Sequence, residues 1–127
     1  MKDYIYYING NFVKAKDAKI SFNDGGFQRG NAIFETIKFN KNNLFYIDSH
    51  MKRLQDGIAY LEFEINKTSQ DLINLIHQTI DKNNLESGAI NLMVSSTFDI
   101  NNPLDSKTNL YISIRPIKKL ISKSVKI

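Results

Sequence analysis

The spacing of apolar and polar positions changes along the chain, and each change marks an element. Residues 3–8 are dense in Tyr and Ile, Asn9-Gly10 follows, and residues 11–14 resume an extended pattern. Asn-Gly accepts the positive φ of a tight hairpin turn, so the chain opens as two paired strands. Residues 16–21 add a short extended piece, and residues 22–31, with three of the six glycines, read as a loop. Residues 32–40 form a strand that turns at Lys41-Asn42-Asn43 into a second run over residues 44–47. Asp48 or Ser49 then caps a helix reaching about residue 63, with Met51, Leu54, Ile58 and Leu61 on one stripe. Thr68-Ser69-Gln70-Asp71 has capping-box spacing, and Leu72, Leu75, Ile76 and Ile80 carry a second helix to Asn83-Asn84. Glu86-Ser87-Gly88 breaks it, and residues 89–95 and 110–115 read as two further strands around a polar loop at 99–106. Strands grouped before and after helices predict an α+β domain, a mainly antiparallel sheet with two helices.

Composition narrows the picture. A chain of 127 residues, 42% hydrophobic, is expected to be one globular domain. No apolar run approaches the roughly 18 residues of a membrane helix, and the first residues lack a signal-peptide pattern, so a cytoplasmic protein with no membrane partner is expected. Without cysteine there is no disulfide framework, thiol nucleophile or cysteine-type zinc site, and two histidines leave little for another metal. The net charge of +4 comes from Lys118, Lys119, Lys123 and Lys126 in an acid-free end, leaving 13 basic against 13 acidic residues elsewhere. A neutral body with a basic end predicts no nucleic-acid partner.

Candidate chemistry follows from the strand at 32–40. Its period of two puts Ile33, Glu35, Ile37 and Phe39 on one face and Phe34, Thr36 and Lys38 on the other. The first face is apolar apart from Glu35, which needs a hydrogen-bond partner if buried. The second mixes aromatic, hydroxyl and ammonium groups, the make-up of either a ligand-facing wall or an ordinary half-exposed strand. His50 and Arg53, three apart near a helix start, point the same way. There a guanidinium and free helix N–H groups suit a phosphate approached by the glycine-rich loop, while the plain alternative is a surface Arg beside a capping His. No Ser, His and carboxylate constellation is readable. A covalent lysine must be desolvated, and none of the fourteen sits in an apolar run; Lys38 is the least exposed candidate.

Three ordered segments, Tyr7-Ile8-Asn9-Gly10, Gly26-Phe27-Gln28-Arg29-Gly30-Asn31-Ala32-Ile33-Phe34-Glu35-Thr36 and His50-Met51-Lys52-Arg53-Leu54, together resemble the class IV aminotransferases. That family includes branched-chain and D-amino-acid aminotransferases and aminodeoxychorismate lyase, all dependent on pyridoxal 5'-phosphate. The resemblance implies the small N-terminal domain of a fold-type IV enzyme over residues 1–116. It also implies a basic segment at 117–127 leading to a second domain that holds the cofactor lysine, and a homodimer in the complete enzyme. By the same resemblance Arg53 binds the cofactor phosphate, Phe34, Thr36 and Lys38 wall the substrate pocket, Glu35 is a core carboxylate on the opposite face, and His50 caps or packs beside Arg53. No catalytic residue is expected in this chain. Where the family commonly has Arg, an aromatic and Asp, this sequence has Gly25, Arg29 and Asn31; where some members read the substrate carboxylate with Arg, it has Ser95-Ser96-Thr97. The implied function is transamination of a branched-chain or D-amino acid. The alternatives are a lyase making 4-aminobenzoate and pyruvate from aminodeoxychorismate, and a short non-catalytic binding or assembly module.

Overall fold

The two Asn-rich turns organise the sheet as their sequences predict. β1 (Ile5–Ile8) and β2 (Asn11–Lys14) pair around Asn9 and Gly10, both at positive φ. β3 (Ala32–Asn40) turns through Lys41 and Asn42, also at positive φ, into β4 (Asn43–Leu44). Those dihedrals match the right-handed twist of paired strands. β5 (Ser87–Phe98) and β6 (Ser106–Arg115) extend beyond the expected spans of 89–95 and 110–115. The computed structural model describes residues 3–98 and 106–117. In it the strands form one antiparallel sheet in the order β2-β1-β6-β5-β3-β4. The basic end at 118–127 and the polar loop at 99–105 lie outside the described residues.

One face of this sheet carries the core. Helix α2 (Ile47–Tyr60) buries Met51, Leu54 and Ile58, and α3 (Ser69–Asn83) buries Leu72, Ile76 and Ile80. They close over Tyr7, Ile37, Phe39, Ile90, Leu92, Val94, Leu110, Ile112 and Ile114. Burying each such side chain contributes about 1.5–3 kcal/mol, which is why the amphipathic stripes decide where the helices lie. The capping box of α3 is formed: Asp71 N donates to Thr68 Oγ1 at 3.1 Å and Thr68 N to Asp71 Oδ2 at 2.9 Å. Asn83 ties the far end of α3 to β1, exchanging bonds of 2.7 and 2.8 Å with the backbone of Ile5.

Five local expectations are corrected. The run at 44–47 is not a strand throughout: pairing stops at Leu44, Tyr46 takes φ 57° as N-cap, and α2 begins at Ile47. Neither Asp48 nor Ser49 caps this helix. Ile47 packs on the core and so sets the start, while Asp48 falls in the first turn, where the helix dipole favours an acid. The helix ends at Tyr60 rather than near 63, because Glu62 at φ 59° reverses the chain. Residues 16–21 form no paired strand: a 3-10 turn spans Ala15–Asp17, and the chain becomes extended only from Ala18. Finally, the glycine-rich stretch holds a third helix, α1 (Gly25–Arg29), between N-cap Asp24 and Gly30 at φ 67°.

Candidate functional site

β3 divides its side chains between the two faces as its alternation predicts. Glu35, Ile37 and Phe39 are buried on the helix side, and Phe34, Thr36 and Lys38 are exposed on the other. Glu35 is the polar member of the buried set, and its partners come from α2. Arg53 Nη2 donates to Glu35 Oε1 at 2.6 Å, and Arg53 Nε donates to both carboxylate oxygens at 3.1 and 3.0 Å. His50 Nδ1 stands 2.7 Å from Glu35 Oε1 and 3.3 Å from Arg53 Nη2. A ring nitrogen that close to a carboxylate oxygen must carry the proton, so Nδ1 donates to Glu35 and does not accept from Arg53.

Burial alone would raise the Glu35 pKa, but the hydrogen bonds from Arg53 and His50, with their charges, hold it below the ordinary carboxylate value. The same pairing raises Arg53. The two partners differ in exposure: the Glu35 side chain is 7% exposed and the Arg53 side chain 68%. A guanidinium has five N–H groups, and Glu35 engages only the edge formed by Nε and one Nη2 hydrogen. Both hydrogens of Nη1 and the second of Nη2 therefore remain on an exposed edge suited to an oxyanion. Sequence reasoning named Arg53 and required a partner for Glu35, but did not join the two. His50 packs beside Arg53 and caps nothing.

On the open face Phe34 lies opposite Met93 and then Tyr111, Thr36 opposite Asn91 and then Ser113, and Lys38 opposite Ala89 and then Arg115. These strands thus form a mixed wall. Among the described residues Asn91 Oδ1, beneath that wall, is the buried side-chain acceptor that has no hydrogen-bond partner. Phe34, Thr36 and Lys38 come together as predicted, while Arg53 sits on the helix side beside Glu35. The structure therefore does not place all four on one surface; they share β3 as a common support. A groove of about 540 Å³ lined in part by Asn9, Asn66, Lys67 and Lys107 contains none of them.

The glycine-rich segment does not approach Arg53 either; it packs on the opposite, open face. Asp24 Oδ1 caps α1, accepting from Gly26 N at 2.7 Å and Phe27 N at 3.3 Å. Its Oδ2 accepts from Tyr111 Oη at 2.5 Å, Ser95 Oγ at 2.7 Å and Asn109 Nδ2 at 3.2 Å. Burial would raise Asp24, yet these bonds bring it below the ordinary value, and Tyr111 is pushed well above its own by burial and by Asp24. A Cβ at Gly25 would stand 2.8 Å from Ser96 O, so the glycine permits the close contact of α1 with β5. Arg29 lies over the Phe98 ring at 5.3 Å. Two of the departures in this segment thus serve the seating of α1. Asp24 was missed as a cap, although an Asp ahead of Gly-Gly-Phe-Gln-Arg with Gly next is the signal for a short capped helix.

Comparison with known proteins places this arrangement. The profile described as amino-transferase class IV matches residues 32–126. The chain belongs to the class IV aminotransferases. It is 33% identical over 84 residues to the D-alanine aminotransferase of Staphylococcus aureus (strain N315), a match covering 66% of this chain and 30% of that protein. It is 36% identical over 89 residues to a provisionally assigned branched-chain-amino-acid aminotransferase of Methanocaldococcus jannaschii, covering 70% and 31%. The branched-chain amino acid aminotransferase of Escherichia coli superposes with a TM-score of 0.80 at 25% identity, over 91% of this chain and 40% of that one. The chain spans about a third of the length of the curated relatives it matches and corresponds to the N-terminal region of a class IV aminotransferase. Its α+β architecture is that of the fold-type IV enzymes.

Class IV aminotransferases depend on pyridoxal 5'-phosphate, and one solved structural neighbour, a branched-chain amino acid aminotransferase, is complexed with N-(5'-phosphopyridoxyl)-L-glutamate. The donor set of this chain fits the phosphate end of such a group, since Arg53 keeps three N–H bonds uncommitted on an exposed edge. Among the described residues no lysine is buried: Lys38, expected to be the least exposed, is exposed because it lies on the open face of β3, and Lys67 is half-buried.

Proposed function

We propose that this chain supplies the cofactor-phosphate arginine and one substrate wall of a pyridoxal-phosphate-dependent aminotransferase acting on branched-chain or D-amino acids. Catalysis awaits a lysine-bearing domain. Residues 1–116 form the domain and 117–127 lead toward the second, in a cytoplasmic homodimer. The observation that carries this reading is the exposed Arg53 edge, held by a carboxylate of the strand whose other face presents Phe34, Thr36 and Lys38. The names of the relatives, D-alanine and branched-chain aminotransferases, favour transamination over the lyase.

When bound, pyridoxal phosphate supplies the electron sink that makes loss of an amino acid's α-proton feasible. This chain's residues do the holding. Arg53 takes the phosphate by charge-assisted hydrogen bonds and fixes one end of the cofactor. Phe34 offers an apolar surface that excludes water beside the substrate side chain, while Thr36 Oγ1 and Lys38 Nζ offer polar contacts on the same wall.

Treating the chain with pyridoxal phosphate and borohydride tests the missing lysine. Digestion and mass mapping are expected to show scattered, substoichiometric labelling. Quantitative labelling of one lysine such as Lys38 would place the covalent residue in this chain and overturn the reading.

A further inference from the structure

Arg53 carries a carboxylate on one edge, an odd choice for an anion-binding arginine, because a neighbouring negative charge weakens attraction for phosphate. The geometry explains why the charge is tolerated. Glu35 is buried and braced by β3, and it meets the guanidinium at three donor–acceptor distances of 2.6, 3.0 and 3.1 Å. His50 holds Glu35 Oε1 from the α2 side at 2.7 Å. A long, flexible side chain that is mostly in solvent is thereby fixed in direction before any ligand arrives, and its Nη1–Nη2 edge is left facing outward.

We propose that Glu35 is the positioning residue for Arg53, with His50 as its brace, so that the exposed guanidinium edge is aimed at an oxyanion at the expense of net positive charge. This rests on the reading that Arg53 binds phosphate. Coulomb attraction and positioning predict opposite signs for one substitution. Glu35→Gln removes a negative charge and by charge alone tightens anion binding. A glutamine also has a single acceptor oxygen and places an NH2 group against donors, so the paired grip on Arg53 is lost and binding weakens.

The probe is inorganic phosphate, titrated at neutral pH and constant ionic strength into the 127-residue chain while the Nε–H NMR signals of its three arginines are followed. In the unsubstituted chain the Arg53 signal is expected to exchange slowly with solvent and to shift with phosphate, and Arg53→Met is expected to abolish the saturable binding. Glu35→Gln, with an otherwise unchanged amide spectrum, is expected to bind phosphate about fivefold or more weakly and to lose the slow exchange of Arg53 Nε–H. Glu35→Asp keeps the charge but shortens the reach, and should weaken binding likewise; it also serves if the glutamine variant does not fold. Binding as tight as or tighter than that of the original chain in either variant overturns the positioning role while leaving Arg53 as the phosphate ligand. Binding unaffected by Arg53→Met, or absent from the unsubstituted chain, overturns both.

Discussion

Two carboxylates are buried on opposite faces of one sheet, and they are held by different kinds of partner. Asp24 collects neutral donors: the hydroxyls of Tyr111 and Ser95, the amide of Asn109 and the first N–H groups of α1. Glu35 collects a guanidinium and an imidazole N–H. Burial pushes both pKa values up, and the hydrogen bonds bring both below the ordinary carboxylate value. Around Asp24 the cage is closed, with all five bonds directed inward. Around Glu35 the cation is exposed and keeps donors to spare. A closed cage fastens a helix to a sheet, whereas an open pair presents a prepared charge to a ligand. On the proposed reading of Arg53, that contrast separates a carboxylate that fastens a helix from one that serves a binding arginine.

The contrast is broken most severely at Asp24. Asp24→Ala uncaps α1 and leaves the donors of Tyr111, Ser95 and Asn109 unpaired, and is expected to lower unfolding free energy by roughly 3–5 kcal/mol in urea titrations. Acid comes next. Both folded-state pKa values are depressed, so both groups contribute stability that is complete above the unfolded carboxylate range of about 4 and is lost as pH falls through the folded values. Urea midpoints measured downward from neutral pH should therefore fall below that range, and Asp24→Asn and Glu35→Gln should each flatten the fall. Glu35→Gln itself is expected to cost about 1–2 kcal/mol, since the released Arg53 is already largely in water. Molar salt should shrink that effect by a few tenths of a kcal/mol and leave the Asp24→Ala effect unchanged, because only the Glu35 partnership involves an exposed charge. Smallest are Thr36→Val and Lys38→Met on the exposed wall, which should alter stability by less than about 0.5 kcal/mol.

The parts legible in the sequence were those set by period and by local chemistry. Alternation assigned Glu35 and Thr36 to opposite faces of β3, the Thr68–Asp71 box marked the start of α3, and the stripe of Met51, Leu54 and Ile58 marked the buried side of α2. The three motif segments carried the family. What stayed hidden depends on contacts between distant residues. Asp24 finds its sheet partners 71, 85 and 87 positions away, and no local pattern reports such a pairing. Glu35 and Arg53 are only 18 apart, yet their contact depends on how α2 is rotated over β3, which neither the strand nor the helix period contains. The helix start at Ile47 was missed for a similar reason, because core packing outweighed the better capping residues that follow.

The central claim is that one strand serves cofactor and substrate on its two sides, through Arg53 held by Glu35 and through the exposed wall of Phe34, Thr36 and Lys38. Titrating the chain with pyridoxamine 5'-phosphate, which has no aldehyde to label lysines, while mapping NMR shifts tests it most directly. The account predicts saturable shifts at Arg53 Nε–H together with the backbone amides from Phe34 to Lys38, and loss of both sets in Arg53→Met. Shifts that cluster instead around Lys67 and Lys107, or that persist unchanged in Arg53→Met, would contradict it.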